Sequence, residues 1–270
     1  MAREEARLFP ALLKHWRGRR GLSQLDLALA ADVSARHVSF LETGRAQPSR
    51  EMVLRLATSL DVPLRDQNAL LAAAGFAEEF AEPSFENALD PSIDQALGRM
   101  LAQQEPFPLV VVNRRYDVLR ANRAAQRMVM HFILEPPLPD PINLFRLLFD
   151  PRASRPFVVD WARVARLLLS RLHREALARP SDLELAALVR SLLEYPDVPE
   201  SFRQPDFSLP SEPTLGVRLR RDSLELAFFT TITAFNAPQN VTVEELRIES
   251  YFPADAATAA TCERLAREDP

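Results

Sequence analysis

The chain has 270 residues, 47% of them apolar and 26% charged, which is enough apolar material for packed cores and too much for a disordered chain; that length suits two domains better than one. The formal net charge of −4 conceals a division: residues 1–75 carry 11 Lys+Arg against 8 Asp+Glu, whereas the remainder carries 22 against 29, so a polyanion would find its partner only in the N-terminal part. No run approaches the roughly 18 apolar residues of a membrane span, and the N-terminus lacks a signal-type apolar core. A cytoplasmic protein with no membrane partner is the expectation. The single Cys262 excludes an intramolecular disulfide and reads as a small apolar residue.

In chain order, residues 1–75 read as five short helices. Leu8, Leu12, Leu13 and Trp16 recur at helical spacing before Gly21. Ser23 opens SQLDLALAA with Asp26 placed for a capping box. A turn at Asp32 leads to a third helix, Ser34 to Thr43, with Gly44 as its stop. Pro48 and Ser49 open a fourth helix, and 63–74 gives a fifth, closed by Gly75. The acidic, proline-punctuated segment 76–91 reads as a linker. Residues 92–270 then form a mixed domain: a helix at 92–104, strands at 107–112 and 116–120 around a turn, and a helix from about Asn122. Amphipathic helices follow at 160–178 and 181–194, the second with a Ser181/Glu184 capping box. Three antiparallel strands fall within TLGVRLRRDSLELAFFTTITAF and NVTVEELRIESYFP.

The third helix has an uneven wheel. Val38 and Leu41 define a narrow buried stripe, and at 100° per residue the opposite side carries Arg36, Ser39, Phe40 and Thr43. Only a few residues tie it to the second helix, so the pair must cross steeply and the third helix projects. Such a helix fits a DNA major groove, and Lys14, Arg19 and Arg20 nearby could reach phosphates. Phe40 has core membership as its competing reading, and His37 is either a phosphate contact or a surface residue.

The residues LSQLDLALAADVSARHVSFLETG, 22–44, resemble the helix-turn-helix of the Cro/C1-type repressors, the broad XRE family, and the five-helix order extends the likeness over 8–74. The turn carries Asp32 where that family often has Gly, and Asp tolerates the left-handed conformation. The resemblance implies that Gln24 and Ser34 bind phosphate at helix N-termini, with Ser34 also capping. It places Ala35, Arg36 and Phe40 at base-reading positions beside Ser39, Arg36 being the candidate for guanine O6 and N7, and Arg45 on the backbone. Arg17 is implied to pair with Glu42, clamping the first helix to the third. A homodimer on a palindromic operator of double-stranded DNA is the implied assembly.

The segment FPLVVVNRRYDVLRANRAAQRMV, with Asn122 to Ala125, Asn143-Leu144 and Asp160-Trp161, resembles the C-terminal ligand-binding domain of MmyB-like transcription regulators. That likeness implies a PAS-like α+β fold, an antiparallel sheet with covering helices, and a small apolar ligand with a fatty acid as the type of occupant. Phe107, Val111, Phe157, Trp161, Leu168, Phe228 and Phe235 are candidate lining residues, with ordinary core membership as the competing reading. Arg115, Tyr116 and Arg123 are candidates for an acyl carboxylate. The alternative is a domain that only dimerises or docks a partner. No catalytic motif, phosphate-cradling glycine loop or metal-ligand spacing occurs, and the four histidines are scattered, so neither an enzyme nor a metal or other cofactor is expected.

Overall fold

The computed structural model describes residues 8–136, 138–179, 182–204, 215–236 and 238–268. The chain divides into two compact units, one of residues 1–88 with 236–244, the other of 89–235 with 245–270. Among the described residues no helix is long and apolar enough to cross a membrane.

The first unit has the five expected helices: α1 Leu8–Arg19, α2 Gln24–Ala30, α3 Ala35–Glu42, α4 Arg50–Ser59 and α5 Leu64–Ala73. Three start on serine caps. Ser23 and Asp26 complete a reciprocal capping box, while the hydroxyls of Ser34 and Ser49 accept from the backbone N–H three residues on. Asp32 takes the left-handed turn at φ 53° and Gly44 ends α3 at φ 70°, a conformation that a Cβ opposes. The core joins Phe9, Leu13 and Trp16 to Leu27, Val38, Leu41, Leu56 and Leu70.

The segment expected as a linker belongs to this unit as far as Ala88. Asn68 of α5 holds it: its Oδ1 accepts from the N–H groups of Glu79 and Phe80 (3.1 and 3.0 Å), and its Nδ2 donates to the Phe80 carbonyl (2.7 Å). A short helix, α6 Phe85–Ala88, ends it. Residues 236–244 complete the unit. Val241 to Glu244, expected within a strand, form a helical turn, because Asn240 accepts from Val243 N–H as a local cap (2.9 Å) and Glu244 accepts from Leu64 N–H at the start of α5 (2.9 Å).

The second unit opens with α7 Pro91–Gln103 and contains a five-stranded, wholly antiparallel sheet in the order β2-β1-β5-β4-β3: β1 Leu109–Val112, β2 Val118–Ala121, β3 Leu215–Arg221, β4 Leu224–Thr233 and β5 Arg247–Pro253. After β2 comes α8 Arg123–His131, then α9 Leu144–Phe149, α10 Trp161–Ala178 and α11 Leu183–Leu193. One sheet face, carrying Val110, Val112, Val217, Leu219 and Phe228, packs in a common core with Phe145, Phe149, Leu168, Leu172 and Leu188 of these helices. The Asn-Arg-Ala-Ala start has a structural reason. Asn122 Oδ1 accepts from Leu109 N–H and Ala125 N–H (both 3.0 Å) and its Nδ2 donates to the Phe107 carbonyl (2.8 Å), so one side chain caps α8 and pins the entry to β1.

Two differences from expectation stand out. Ser181 lies outside the described residues, and the cap of α11 is Asp182, whose Oδ1 accepts from Leu185 N–H (3.0 Å). A helix that the sequence pattern did not predict, α13 Ala256–Glu268, follows β5, which itself follows α12, the 241–244 turn. Asp255 Oδ1 accepts from Thr258 N–H (2.7 Å), and Thr258 Oγ1 accepts from Ala227 N–H of β4 (3.0 Å).

Candidate nucleic-acid interface and ligand cavity

In α3, Val38 and Leu41 are fully buried, while Arg36 and Thr43 are exposed and Ser39 and Phe40 half-buried. Phe40 lies outside the core of its unit. Its ring sits beneath two guanidinium groups, Arg36 at 5.1 Å and Arg45 at 6.0 Å from the ring centre, a cation–π arrangement that fixes the exposed arginines over an aromatic platform. Thr43 Oγ1 donates back to the Ser39 carbonyl (2.7 Å). Ala35 and His37 are half-buried, and the Ser34 hydroxyl at the N-terminus of α3 is occupied with His37 N–H (3.1 Å).

Behind that face lies a buried ion pair. Arg17 Nε and Nη2 donate to Glu42 Oε1 and Oε2 at 2.6 and 2.9 Å, and Arg17 Nη1 donates to the Leu22 carbonyl at 2.7 Å. The side chains are 15% and 3% exposed, so the bidentate geometry has to offset desolvation. Burial acts to raise the Glu42 carboxyl, but hydrogen bonds from Arg17 and Gln24 and the charge of Arg17 outweigh it and hold it below the usual carboxylate range.

Gln24 occupies a place that the sequence did not reveal. Its Nε2 donates to Glu42 Oε2 at 2.7 Å, so α1, α2 and α3 meet at one carboxylate, and only the rest of the Gln24 amide is open to a phosphate. Arg20 is likewise turned inward: it donates to the Leu60 carbonyl (2.6 Å) and to both the carbonyl and the carboxylate of Asp61. Its guanidinium braces the α4–α5 turn, whose Asp61 has φ 46°. Lys14 and Arg19 are exposed, Arg19 lying over the Trp16 ring at 4.9 Å.

In the second unit an apolar cavity of about 280 Å³ opens between the sheet and α8 and α9, lined among others by Val110, Ala121, Met128, Leu144, Val217 and Phe228. A smaller one of about 30 Å³ adjoins it, with Leu144, Leu148, Val217 and Tyr251 common to both. Of the sequence-derived lining residues, Phe228 lines the larger space and Leu168 the smaller, which Tyr116, a carboxylate candidate, also lines. Phe107, Phe157 and Trp161 pack against the core instead. Trp161 is held there by its Nε1, which donates to the Leu148 carbonyl at 2.7 Å, and by Arg155 stacked at 3.8 Å. Val111 falls on the other sheet face by the period-2 alternation of β1, and Phe235 lies beyond the end of β4.

None of the three candidates for a carboxylate partner stands at the mouth of this cavity. Arg115 pairs with Asp117 (3.2 Å) and Glu184 (3.1 Å). Arg123 lies along a separate surface groove with Arg127, His131 and Glu268. Tyr116, fully buried at φ 66°, donates to Glu175 Oε1 at 2.8 Å. Glu175 also accepts from Arg171 Nε (3.0 Å) and Arg247 Nη1 (2.9 Å), and both guanidiniums lie over the Tyr116 ring at 5.3 and 4.7 Å. Burial acts to raise the Glu175 carboxyl, and the two arginine charges reverse that and hold it low. Glu175, Arg171, Arg247, Glu249 and Tyr251 went unrecognised in the sequence, because Arg247, Glu249 and Tyr251 alternate along β5 as a solvent-facing edge would. Among the described residues no group of three or more His, Cys, Asp or Glu could hold a metal ion.

Comparison with known proteins agrees with both halves of this geometry. Residues 93–265 match the family model described as MmyB-like transcription regulator ligand binding domain, and residues 13–67 match one described as helix-turn-helix. The chain is 32% identical over 98 residues to the HTH-type transcriptional regulator DdrOP3 of Deinococcus deserti, a match covering 33% of this chain and 76% of that protein. A solved structure titled as an RNA-binding light-oxygen-voltage receptor aligns at 15% identity over 90% of this chain and 62% of its own, with a TM-score of 0.28, too low to carry any argument.

Proposed function

The chain belongs to the MmyB-like transcription regulators, DNA-binding proteins with a helix-turn-helix ahead of a ligand-binding domain, and from that premise we propose that a long-chain apolar ligand, of fatty-acid type, in the second unit controls how a homodimer engages a palindromic operator. The observation that carries this reading is the apolar cavity of about 280 Å³ inside the family's ligand-binding domain. Its lining is almost wholly aliphatic and aromatic, as small-molecule sites are, and that supports ligand sensing over a domain that merely docks a partner. The ligand must bind two arrangements of the dimer with different affinity to shift between them.

On DNA, the Arg36 guanidinium projects from α3 for bidentate contact with guanine, with Phe40 and Ala35 toward thymine methyls. Ser39, Thr43 and His37 flank it, and Gln24, Ser34, Lys14, Arg19 and Arg45 approach the phosphates. Arg20 supports the fold beside them. Arg36→Ala is expected to weaken binding to an operator selected from random DNA by about 1–3 kcal/mol and to relax specificity at one base of each half-site. An equal loss on every sequence would make Arg36 a phosphate contact instead.

Ligand control has its own test. Ala121→Phe projects a ring into the cavity and is expected to abolish the response of operator affinity to a long-chain ligand, while the variant still binds operator in the absence of ligand. Retention of the full response in a variant that remains folded would place the ligand elsewhere.

A further inference from the structure

The small cavity adjoins the apolar one through the shared residues Leu144, Leu148, Val217 and Tyr251, so a chain lying in the larger space reaches it with one end. One side of it is polar. Glu249 of β5, only 8% exposed, lines it and makes no hydrogen bond or close ion pair among the described residues. The hydroxyls of Thr230 and Tyr251 line it too and are equally without a hydrogen bond there. Arg171 of α10 spends its Nε on Glu175 at 3.0 Å, and among the described residues its two Nη groups make no hydrogen bond. Buried polar groups left this way are costly to a fold unless something outside the chain meets them.

Charge and donor count together restrict what that can be. Burial pushes the Glu249 carboxyl up against the pull of Arg171 and Arg247, which favours the neutral acid, a hydrogen-bond donor. With Glu249 neutral, Arg171 and Arg247 share the single negative charge of Glu175, and one positive charge is left over. The Arg171 Nη groups, the Tyr251 and Thr230 hydroxyls and the Glu249 acid can all donate. A carboxylate accepts through both oxygens and supplies the missing charge. An alcohol leaves the charge unbalanced and most of the donors unmatched.

We propose that this small cavity is the head-group site of the ligand, in which Arg171 binds the carboxylate of the fatty acid and Tyr251, Thr230 and Glu249 each donate a hydrogen bond to it. The proposal rests on the apolar cavity being the ligand site, as argued above, and adds the residues that orient the chain, its head at α10 and β5 and its tail along the aliphatic lining. Isothermal titration of the full chain with dodecanoate and dodecanol tests it. Wild type is expected to bind dodecanoate at least about tenfold more tightly than dodecanol, the scale of one hydrogen bond to a charged group. Tyr251→Phe keeps the ring and is expected to weaken dodecanoate about tenfold while leaving dodecanol within about threefold. Arg171→Gln should erase the preference; the wild-type ratio and Tyr251→Phe carry the test even where that variant fails to fold. Glu249→Gln keeps a neutral donor and should leave dodecanoate within about threefold. Equal binding of the two probes by wild type overturns the proposal, and so does an equal effect of Tyr251→Phe on both. A tenfold or greater gain of dodecanoate in Glu249→Gln would also overturn it, by showing a charged Glu249 that repels the head group. Binding of neither probe would remove the ligand-site reading itself, a distinct result.

Discussion

Glu42→Ala is expected to cost the first unit about 3–5 kcal/mol, the scale for leaving one member of a buried ion pair unmatched. The loss has three parts. Arg17 keeps its charge at 15% exposure with its two carboxylate contacts gone. Gln24 loses the acceptor that holds it against α3, and α1, α2 and α3 lose their common anchor. Hydrogen exchange of the full chain is the suitable measurement, because amides of α1 and α3 report this unit separately from the sheet. Protection falling there by less than about 1 kcal/mol equivalent would class the pair with exposed ones. The pH dependence has a definite sign. Glu42 titrates below its unfolded value of about 4.3, so its stabilisation is complete above that pH and disappears as the pH falls through the folded value. The alanine variant should lack that acid limb.

Glu175→Ala is expected to have a comparable effect on the second unit, again about 3–5 kcal/mol. It strips the acceptor from the Tyr116 hydroxyl and the countercharge from Arg171 and Arg247 together. Urea unfolding of the sheet unit, followed by exchange of β1 and β5 amides, gives the number; a change under about 1 kcal/mol would show that water replaces the carboxylate. Glu175→Gln should fall between, since its amide oxygen still accepts from Tyr116. Here too the folded carboxyl is held low, so its contribution disappears in acid. Glu249 has the opposite sign. Burial pushes its carboxyl above the usual range, so the folded state binds the proton more tightly than the unfolded one and Glu249 erodes stability as pH rises between the two values. Glu249→Gln should therefore stabilise the protein at neutral pH.

These two carboxylates differ in how far they could be foreseen. The pairing of Glu42 with Arg17 follows from the resemblance to the Cro/C1-type helix-turn-helix, a short, stereotyped unit whose elements fall by local spacing. The same locality explains why the serine caps at Ser23, Ser34 and Ser49, the left-handed Asp32 and the stop at Gly44 fell where spacing put them. What spacing missed in that unit were long-range contacts: Gln24 on Glu42, Arg20 on the Asp61 turn, and Asn68 folding residues 79–80 back onto α5. In the second unit, strand and helix positions followed from pattern, but the cavity did not. Large aromatic residues were natural candidates for lining it, yet Trp161, Phe157 and Phe107 fill space beside it while smaller residues such as Ala121, Val110 and Val217 leave the room. A cavity exists where side chains are too small to close it, and volume left over is not written in any one residue.

The sequence by itself determined the short helices of the first unit, the outward face of α3 around Arg36 and Phe40, and the strands and helices of the second, because these depend on periodicity and on caps a few residues away; the ion pair behind that face came from the resemblance. Only the tertiary structure decided that residues 76–88 and 236–244 belong with the first unit, that 241–244 is helical, and that Arg247, Glu249 and Tyr251 face inward. Alternation along a strand shows which residues share a face but not which face is buried; that is settled by the helices laid across the sheet, from segments up to about a hundred residues away in the chain.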